Sequence, residues 1–91
     1  MAAKVIRANQ FILEDEDGTV RAALTVNKRR PMLSLTDEDG KIRARLTMDT
    51  DGPQLLLCDG TGVIRARLTV DDDGPQLRLT DETGKTIWSQ P

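Results

Sequence analysis

The chain has 91 residues, of which 31% are charged and 37% hydrophobic, with a formal net charge of −2. A chain of this length forms one domain at most, and so small a net charge argues against binding nucleic acid by bulk charge. No apolar run approaches the roughly 20 residues of a membrane span, and the first residues lack the apolar centre of a signal peptide. We therefore expect neither nucleic acid nor membrane as a partner.

Cysteine and histidine usage narrows the chemistry further. Cys58 is the single cysteine and histidine is absent, so no disulfide can form within the chain. A lone thiol is typical of a reducing compartment, and we expect the cytoplasm.

A unit of 22 residues recurs along the chain. The residues that keep this interval are Gly18, Gly40, Gly62 and Gly84, then Pro31, Pro53 and Pro75, and then Leu24, Leu46 and Leu68. A fixed period of this length indicates that one supersecondary unit is reused. We divide the chain into a lead-in at 1–9 and a single domain at 10–91, with units at 10–30, 31–52, 53–74 and 75–91.

Within each unit, apolar residues alternate with polar ones. In the second unit Leu33 and Leu35 share one face. After the turn Ile42, Ala44, Leu46 and Met48 are predicted to share it, while Arg43, Arg45 and Thr47 take the opposite face. A period of two is the strand period. One apolar and one charged face are typical of an antiparallel sheet.

The turn residues set the predicted register. Asp17-Gly18 and Asp39-Gly40 predict two-residue hairpin loops of type I′. The second of these loops would place Glu38 opposite Lys41, followed by Leu35 opposite Ala44 and Leu33 opposite Leu46. The other turns, NKRRP, DTDGP and DDDGP, are predicted to be longer, with the proline starting the next strand. The expected fold is all-β, an eight-stranded up-and-down meander without helices, with Trp88 across from Leu79.

A sheet with one apolar face needs a cover. We expect copies of the chain to supply it, as a trimeric prism in preference to a dimeric sandwich. A closed eight-stranded barrel is the alternative. A parallel β-solenoid is less favoured, because the Asp-Gly turns require antiparallel hairpins. The predicted self-association core comprises Leu33, Leu35, Ala44, Leu46, Leu55, Leu57, Ala66, Leu68 and Trp88.

The repeated hairpins resemble a widespread class of uncharacterised bacterial repeat proteins. That class has hairpins of the form D-E-N-G-K-x-R-A-x-L-G-V joined by D-G-P. The corresponding segments here are DEDGKIRARLTM and DGTGVIRARLTV, with D-G-P at Asp51–Pro53 and Asp73–Pro75. Thr47 and Thr69 stand where the class often has glycine. The resemblance covers residues 10–91 and implies the hairpin fold without implying a site.

Three groups of residues are candidates for chemistry. The acidic turns suggest calcium through Asp15, Asp17, Asp37, Asp39, Asp49 and Asp51. The EF-hand glutamate, eleven residues after the first aspartate, is missing, so these residues are better explained as turn formers. Six arginines form a basic stripe: Arg21, Arg43, Arg45, Arg65, Arg67 and Arg78. The first five are the candidates for an anion or partner face, although cross-strand pairing and solubility explain the stripe better. Cys58 beside Arg65 lacks a histidine to activate it, so a nucleophilic role is not expected.

The sequence thus predicts a non-enzymatic structural or interaction module, a β-repeat scaffold that assembles with itself and presents a surface to a further protein partner. The alternative is an anion- or calcium-binding module. Neither hypothesis requires a cofactor.

Overall fold

The computed structural model describes residues 4–90, and these form one antiparallel sheet. Its eight strands are β1 Gln10–Glu14, β2 Val20–Asn27, β3 Arg30–Thr36, β4 Ile42–Asp49, β5 Gly52–Cys58, β6 Ile64–Asp71, β7 Gly74–Thr80 and β8 Thr86–Gln90. Each strand pairs with the next in sequence order, which confirms the predicted meander. Of the lead-in, residues 4–9 form no strand. Residues 1–3, and Pro91 at the end of the fourth unit, lie outside the described residues.

The sheet is open, since β1 and β8 do not pair with each other. The barrel alternative is therefore wrong, and so is the solenoid, because all neighbouring strands are antiparallel. Rows of paired side chains such as Leu24–Leu33–Leu46 run straight across the strands. Between residues 4 and 90 no helix is long and apolar enough to cross a membrane.

The Asp-x-x-Gly turns differ from the prediction. Gly40 has a φ of 85° while Asp39 keeps a negative φ. The Gly40 amide donates to the Asp37 carbonyl (3.1 Å), and the Asp37 amide donates to the Lys41 carbonyl (2.8 Å). This is a three-residue loop, in which a turn is followed by a single left-handed glycine. Asp37 therefore faces Lys41, and both the type I′ turn and the pairing of Glu38 with Lys41 were wrong predictions.

The turns at the other end of the sheet are the short ones. Asn27 pairs with Arg30 across a two-residue loop, and both loop residues, Lys28 and Arg29, have positive φ of 50° and 72°. That combination is a type I′ turn. The turns after β4 and β6 also contain two residues each. The prediction of longer loops here was wrong, because strand pairing continues to the residue before each proline, which leaves two loop residues at each turn.

A β-bulge follows each Asp-x-x-Gly turn. Leu35 pairs with Ala44, but Thr36 pairs with Ile42, so Arg43 is the extra residue. The predicted pairs Leu35–Ala44 and Leu33–Leu46 are confirmed, since the bulge restores the register. It also turns Ile42 to the face of its partner Thr36. The prediction that Ile42 lies with Ala44 and Leu46 was therefore wrong.

The two faces of the sheet are chemically distinct. The leucine face, as we call it, carries two long rows of side chains. They are Phe11, Leu24, Leu33, Leu46, Leu55, Leu68 and Leu77, and Leu13, Ala22, Leu35, Ala44, Leu57, Ala66, Leu79 and Trp88, flanked by Val26, Met48 and Val70. The central row of the opposite, arginine face is Ile12, Ala23, Ser34, Arg45, Leu56, Arg67, Arg78 and Ser89.

Within one chain, the most buried hydrophobic side chain lies on the arginine face. Leu56, in the middle of that face, is 9% exposed and is the one buried hydrophobic residue between residues 4 and 90. On the leucine face Leu46 is 48% exposed and Leu57 is 46% exposed. The side chains that should form a core thus lie on an uncovered surface.

The strand-initial glycines Gly52 and Gly74 provide a matched test of the close strand packing. Both have positive φ, 135° and 110°. A Cβ at Gly52 would collide with the carbonyl oxygen of Val70 on the neighbouring strand, whereas a Cβ at Gly74 would meet nothing within 4 Å. Gly74→Ala is expected to lower the free energy of unfolding by about 1–3 kcal/mol through backbone strain. Gly52→Ala should lose roughly a further 1–3 kcal/mol through overpacking.

Urea denaturation of both variants and the parent protein measures these differences. Equal losses for the two variants would show that β5 and β6 are not as close at this end as described.

Candidate functional site

The leucine face brings together all nine residues of the predicted self-association core. Leu33, Leu46, Leu55 and Leu68 lie in one row, and the remaining five lie in the other. Trp88 pairs with Leu79, as predicted, at the β8 edge. Fifteen of the face's side chains are large and hydrophobic, and most of these are more than a third exposed. Exposed apolar surfaces of this extent are typical of surfaces that contact another molecule.

The second row of the leucine face alternates in size. Proceeding across the sheet it reads Leu13, Ala22, Leu35, Ala44, Leu57, Ala66, Leu79 and Trp88. Adjacent strands lie about 4.8 Å apart, so a leucine knob recurs about every 9.6 Å with an alanine gap between. The size pattern arises because each upstream strand of the repeat supplies leucine and each downstream strand supplies alanine.

The arginines of the predicted basic stripe fall into two groups. We call Arg21, Arg43 and Arg65 the bulge arginines, since each is the extra residue of a bulge. Arg43 donates from Nε to the Cys58 carbonyl (2.7 Å), and its Nη1 lies 3.4 Å from the Asp37 carboxylate. Arg65 repeats both contacts one unit later. Arg21 donates to the Asp37 carbonyl (2.9 Å).

The bulge arginines therefore connect neighbouring hairpins. Each one crosses to the next hairpin and satisfies a carbonyl at the end of its first strand. Charge-assisted bonds to carbonyls and carboxylates are stronger than neutral ones, so these side chains are already occupied within the sheet.

The second group, which we call the face arginines, is Arg45, Arg67 and Arg78. All three are half-buried in the central row of the arginine face. The Nε atoms of Arg45 and Arg67 are fully covered and have no hydrogen-bond partner within residues 4–90. A covered donor without a partner is uncommon in proteins. Period-two reasoning missed the difference between the groups because the bulge shifts the alternation by one residue.

The first aspartate of each Asp-x-x-Gly turn caps that turn. The Asp59 Oδ1 accepts bonds from the Thr61 amide (2.9 Å), the Thr61 hydroxyl (2.7 Å) and the Val63 amide (3.1 Å). Asp81 makes the equivalent contacts with Thr83 and Lys85. The hydroxyl of Thr61, with the Thr61 and Val63 amides and Arg65, lowers the pKa of Asp59 from its ordinary 3.8 to about 2. The Asp-x-x-Gly spacing was the sequence signal for these caps.

The same capping role is held by two of the calcium candidates. Asp15 accepts amide bonds from Asp17 and Thr19, and Asp37 accepts them from Asp39 and Lys41. The Lys41 amide is the main cause of a lowered pKa at Asp37. Asp49 accepts a bond from the Thr50 amide (2.8 Å) and pairs with Arg30. In the described part of the chain, no three acidic, histidine or cysteine side chains form a group that could hold a metal ion.

Cys58 lies at the end of β5, half-buried and paired with Ile64. The nearby arginine contact is to its backbone, since Arg43 donates to the Cys58 carbonyl. The thiol borders a depression of about 210 Å³ that is also lined by Arg45 and Leu56.

Comparison with protein families found no family that matches the chain, and comparison with curated proteins found no match either. The features of the chain that bear on its function are therefore the two faces of the sheet and its turns.

The Asp59 cap makes stability dependent on pH. A pKa that is lower in the folded chain than in the unfolded chain stabilises the fold above the unfolded value and ceases to do so as pH falls through the folded one. Between pH 4 and pH 2 the free energy of unfolding should therefore decrease. Asp59→Asn should be less stable than the parent at neutral pH, and its stability should fall less steeply over this interval.

Thermal unfolding at several pH values measures the slope. Asp39→Asn is the matched control, because the Asp39 carboxylate accepts no hydrogen bond from residues 4–90 but occupies the same kind of turn. An Asp59→Asn variant with the parent's slope would rule out the cap as a source of the pH dependence.

Proposed function

We propose that the chain is a non-enzymatic structural module that assembles with itself through the leucine face. The observation that carries this proposal is the exposure of that face in a chain whose single buried hydrophobic residue, within residues 4–90, lies on the other side. A domain normally buries its apolar side chains between two layers. Here the chain supplies one layer, so the second must come from outside it.

The size of the leucine face suits a stable interface. Eight strands about 4.8 Å apart, each contributing about five residues at about 3.3 Å per residue, span an area on the order of 600 Å². A typical specific interface buries about 800 Å² of accessible surface on each partner, and projecting side chains raise the accessible area above the flat estimate. Full burial of one Leu side chain contributes about 1.5–3 kcal/mol, so covering this face decides whether the fold is stable.

The occupant that fits best is a second copy of the chain. Leucine knobs alternate with alanine gaps along the row that contains Leu35, Ala44 and Leu57. A copy displaced by one strand would place its knobs over these gaps. Interdigitation of large and small side chains is how two layers reach native packing density. An unrelated apolar surface would match this spacing only by coincidence.

Twist favours three copies over two. Neighbouring strands rotate by roughly −20 to −25°, and the rotation accumulates over the seven strand pairs of the sheet. Because every copy has the same twist, two such wide sheets packed face to face would separate towards their outer corners. In a three-sided prism each sheet meets part of both neighbours, so we propose a trimer in preference to a dimer. The outward arginine face and the turns would then be available to a further protein partner.

We also propose that the chain has no catalytic activity. The chain contains no histidine, and the aspartates with lowered pKa are bound to turn amides. We likewise propose that the acidic turns are structural caps, with calcium binding as the alternative. Thermal unfolding with calcium and with EDTA separates the two hypotheses, since a rise of several degrees with calcium would favour a metal site.

Light scattering on the intact chain tests self-assembly directly. The expected solution mass is a multiple of the 10.1 kDa chain, three-fold for the trimer. Leu46→Glu should abolish assembly because it places a charge in the interface. Thr47→Glu is the matched control, since it adds the same charge at the next position, on the arginine face. A folded monomer at micromolar concentration would overturn the proposal.

Ala44→Leu gives a test that does not depend on a disruptive charge. In a lone sheet an added leucine on the half-buried Ala44 position would be tolerated. In the assembly it would fill a gap that a partner's leucine occupies, at a cost of about 1–3 kcal/mol. A variant with a lower melting temperature and weaker association is therefore expected. An unchanged or raised melting temperature would show that no leucine of a partner occupies the space over the alanines.

A further inference from the structure

Two of the face arginines are directly opposed. Arg67 of β6 pairs with Arg78 of β7 in the central row of the arginine face. Side chains at such positions have Cβ atoms about 4.5–5.5 Å apart, and like charges there destabilise a sheet. The neighbours on either side, Leu56 and Ser89, carry no charge. The pair therefore needs a source of negative charge.

The described chain does not supply that charge. The side chains of Arg67 and Arg78 form no salt bridge or hydrogen bond within residues 4–90, whereas Arg43 and Arg65 are both paired with turn aspartates. The acidic side chains among the strand pairs of this face are Glu14, Asp49 and Asp71. Glu14 lies on β1, at the far edge of the sheet. Asp49 and Asp71 lie at the strand ends, where each accepts a bond from a turn amide. The capping aspartates of the two nearest turns, Asp59 and Asp81, are bound to turn amides, and Asp59 is also paired with Arg65.

A shallow depression of about 310 Å³ adjoins the pair. Its lining includes Arg67, Arg78, Ile64, Thr80 and Thr86. Small-molecule sites begin at about 300 Å³, so the space accommodates a small anion. The Thr80 hydroxyl donates to the Ile64 carbonyl, which leaves the Thr86 hydroxyl as the unengaged donor. Because the Arg67 Nε is covered, the Nη groups are the ones that a ligand can reach.

We propose that Arg67 and Arg78 bind an oxyanion, specifically a phosphate group, with Thr86 as a third donor. Two planar guanidinium groups can each donate a pair of parallel hydrogen bonds to phosphate oxygens. The bound charge would also remove the repulsion between the arginines. The site lies within one chain, so it is independent of self-assembly.

Titration with inorganic phosphate, against chloride at matched ionic strength, tests the site. Phosphate is expected to raise the melting temperature more than chloride does. Arg67→Gln and Arg78→Gln should each weaken phosphate binding by at least about tenfold, the loss of one charged hydrogen-bonding partner. Arg30→Gln is the matched control, because it removes the same charge at an exposed surface pair with Asp49 and should leave phosphate binding unchanged.

The melting temperatures of the variants in the absence of phosphate test whether the two arginines repel each other. In chloride alone, Arg78→Gln should melt at the parent's temperature or above it, because it relieves the like-charge contact. A lower temperature would overturn the premise, and so would equal effects of phosphate and chloride or undiminished binding by both variants. Repeating the titration with a phosphomonoester shows whether the ligand is an organic phosphate or the phosphate group alone. Tighter binding of the ester would assign an organic phosphate that contacts Ile64, and equal binding would assign the phosphate group alone.

Discussion

The fold depends on the burial of an apolar surface that one chain cannot bury by itself. The meander is open, with β1 at one edge and β8 at the other, so its two faces stay separate. Hydrophobic burial is the dominant favourable contribution to folding, yet here most large apolar side chains remain exposed within a single copy. In the proposed assembly, folding and association would for this reason be one thermodynamic event, as in many obligate oligomers.

Polar contacts determine the shape of the sheet that presents this surface. The turn aspartates hold each Asp-x-x-Gly loop, the loop imposes a bulge, and the bulge places an arginine where it can reach the next hairpin. Asp59, Arg65 and the Thr80 carbonyl form one such chain of contacts. These hydrogen bonds cross from hairpin to hairpin without entering the leucine face. One set of residues therefore aligns the hairpins, and a different set forms the apolar surface.

Much of this architecture could be predicted from the 22-residue period and the alternation of leucine with polar residues. These patterns predicted the eight strands, the leucine face and the pairs Leu35–Ala44 and Leu79–Trp88. They failed at the turns because an Asp-Gly dipeptide suggests type I′, whereas the side chain of Asp37, two residues earlier, stabilises a longer loop. The bulge followed from that loop, so Ile42 and the division of the arginines could not be predicted by counting in twos. Which of the arginines are paired became visible only with the side chains in place.

Every strand pairs only with its neighbours in sequence, and the unit that connects them is repeated with little change. An arrangement of this kind is close to one-dimensional, so its stability is roughly a sum over units and their junctions. Whole units could be gained or lost by duplication or deletion of 66 bases without altering the register of the others. The width of the sheet, and with it the area of the leucine face, is thus a quantity that evolution could adjust in steps.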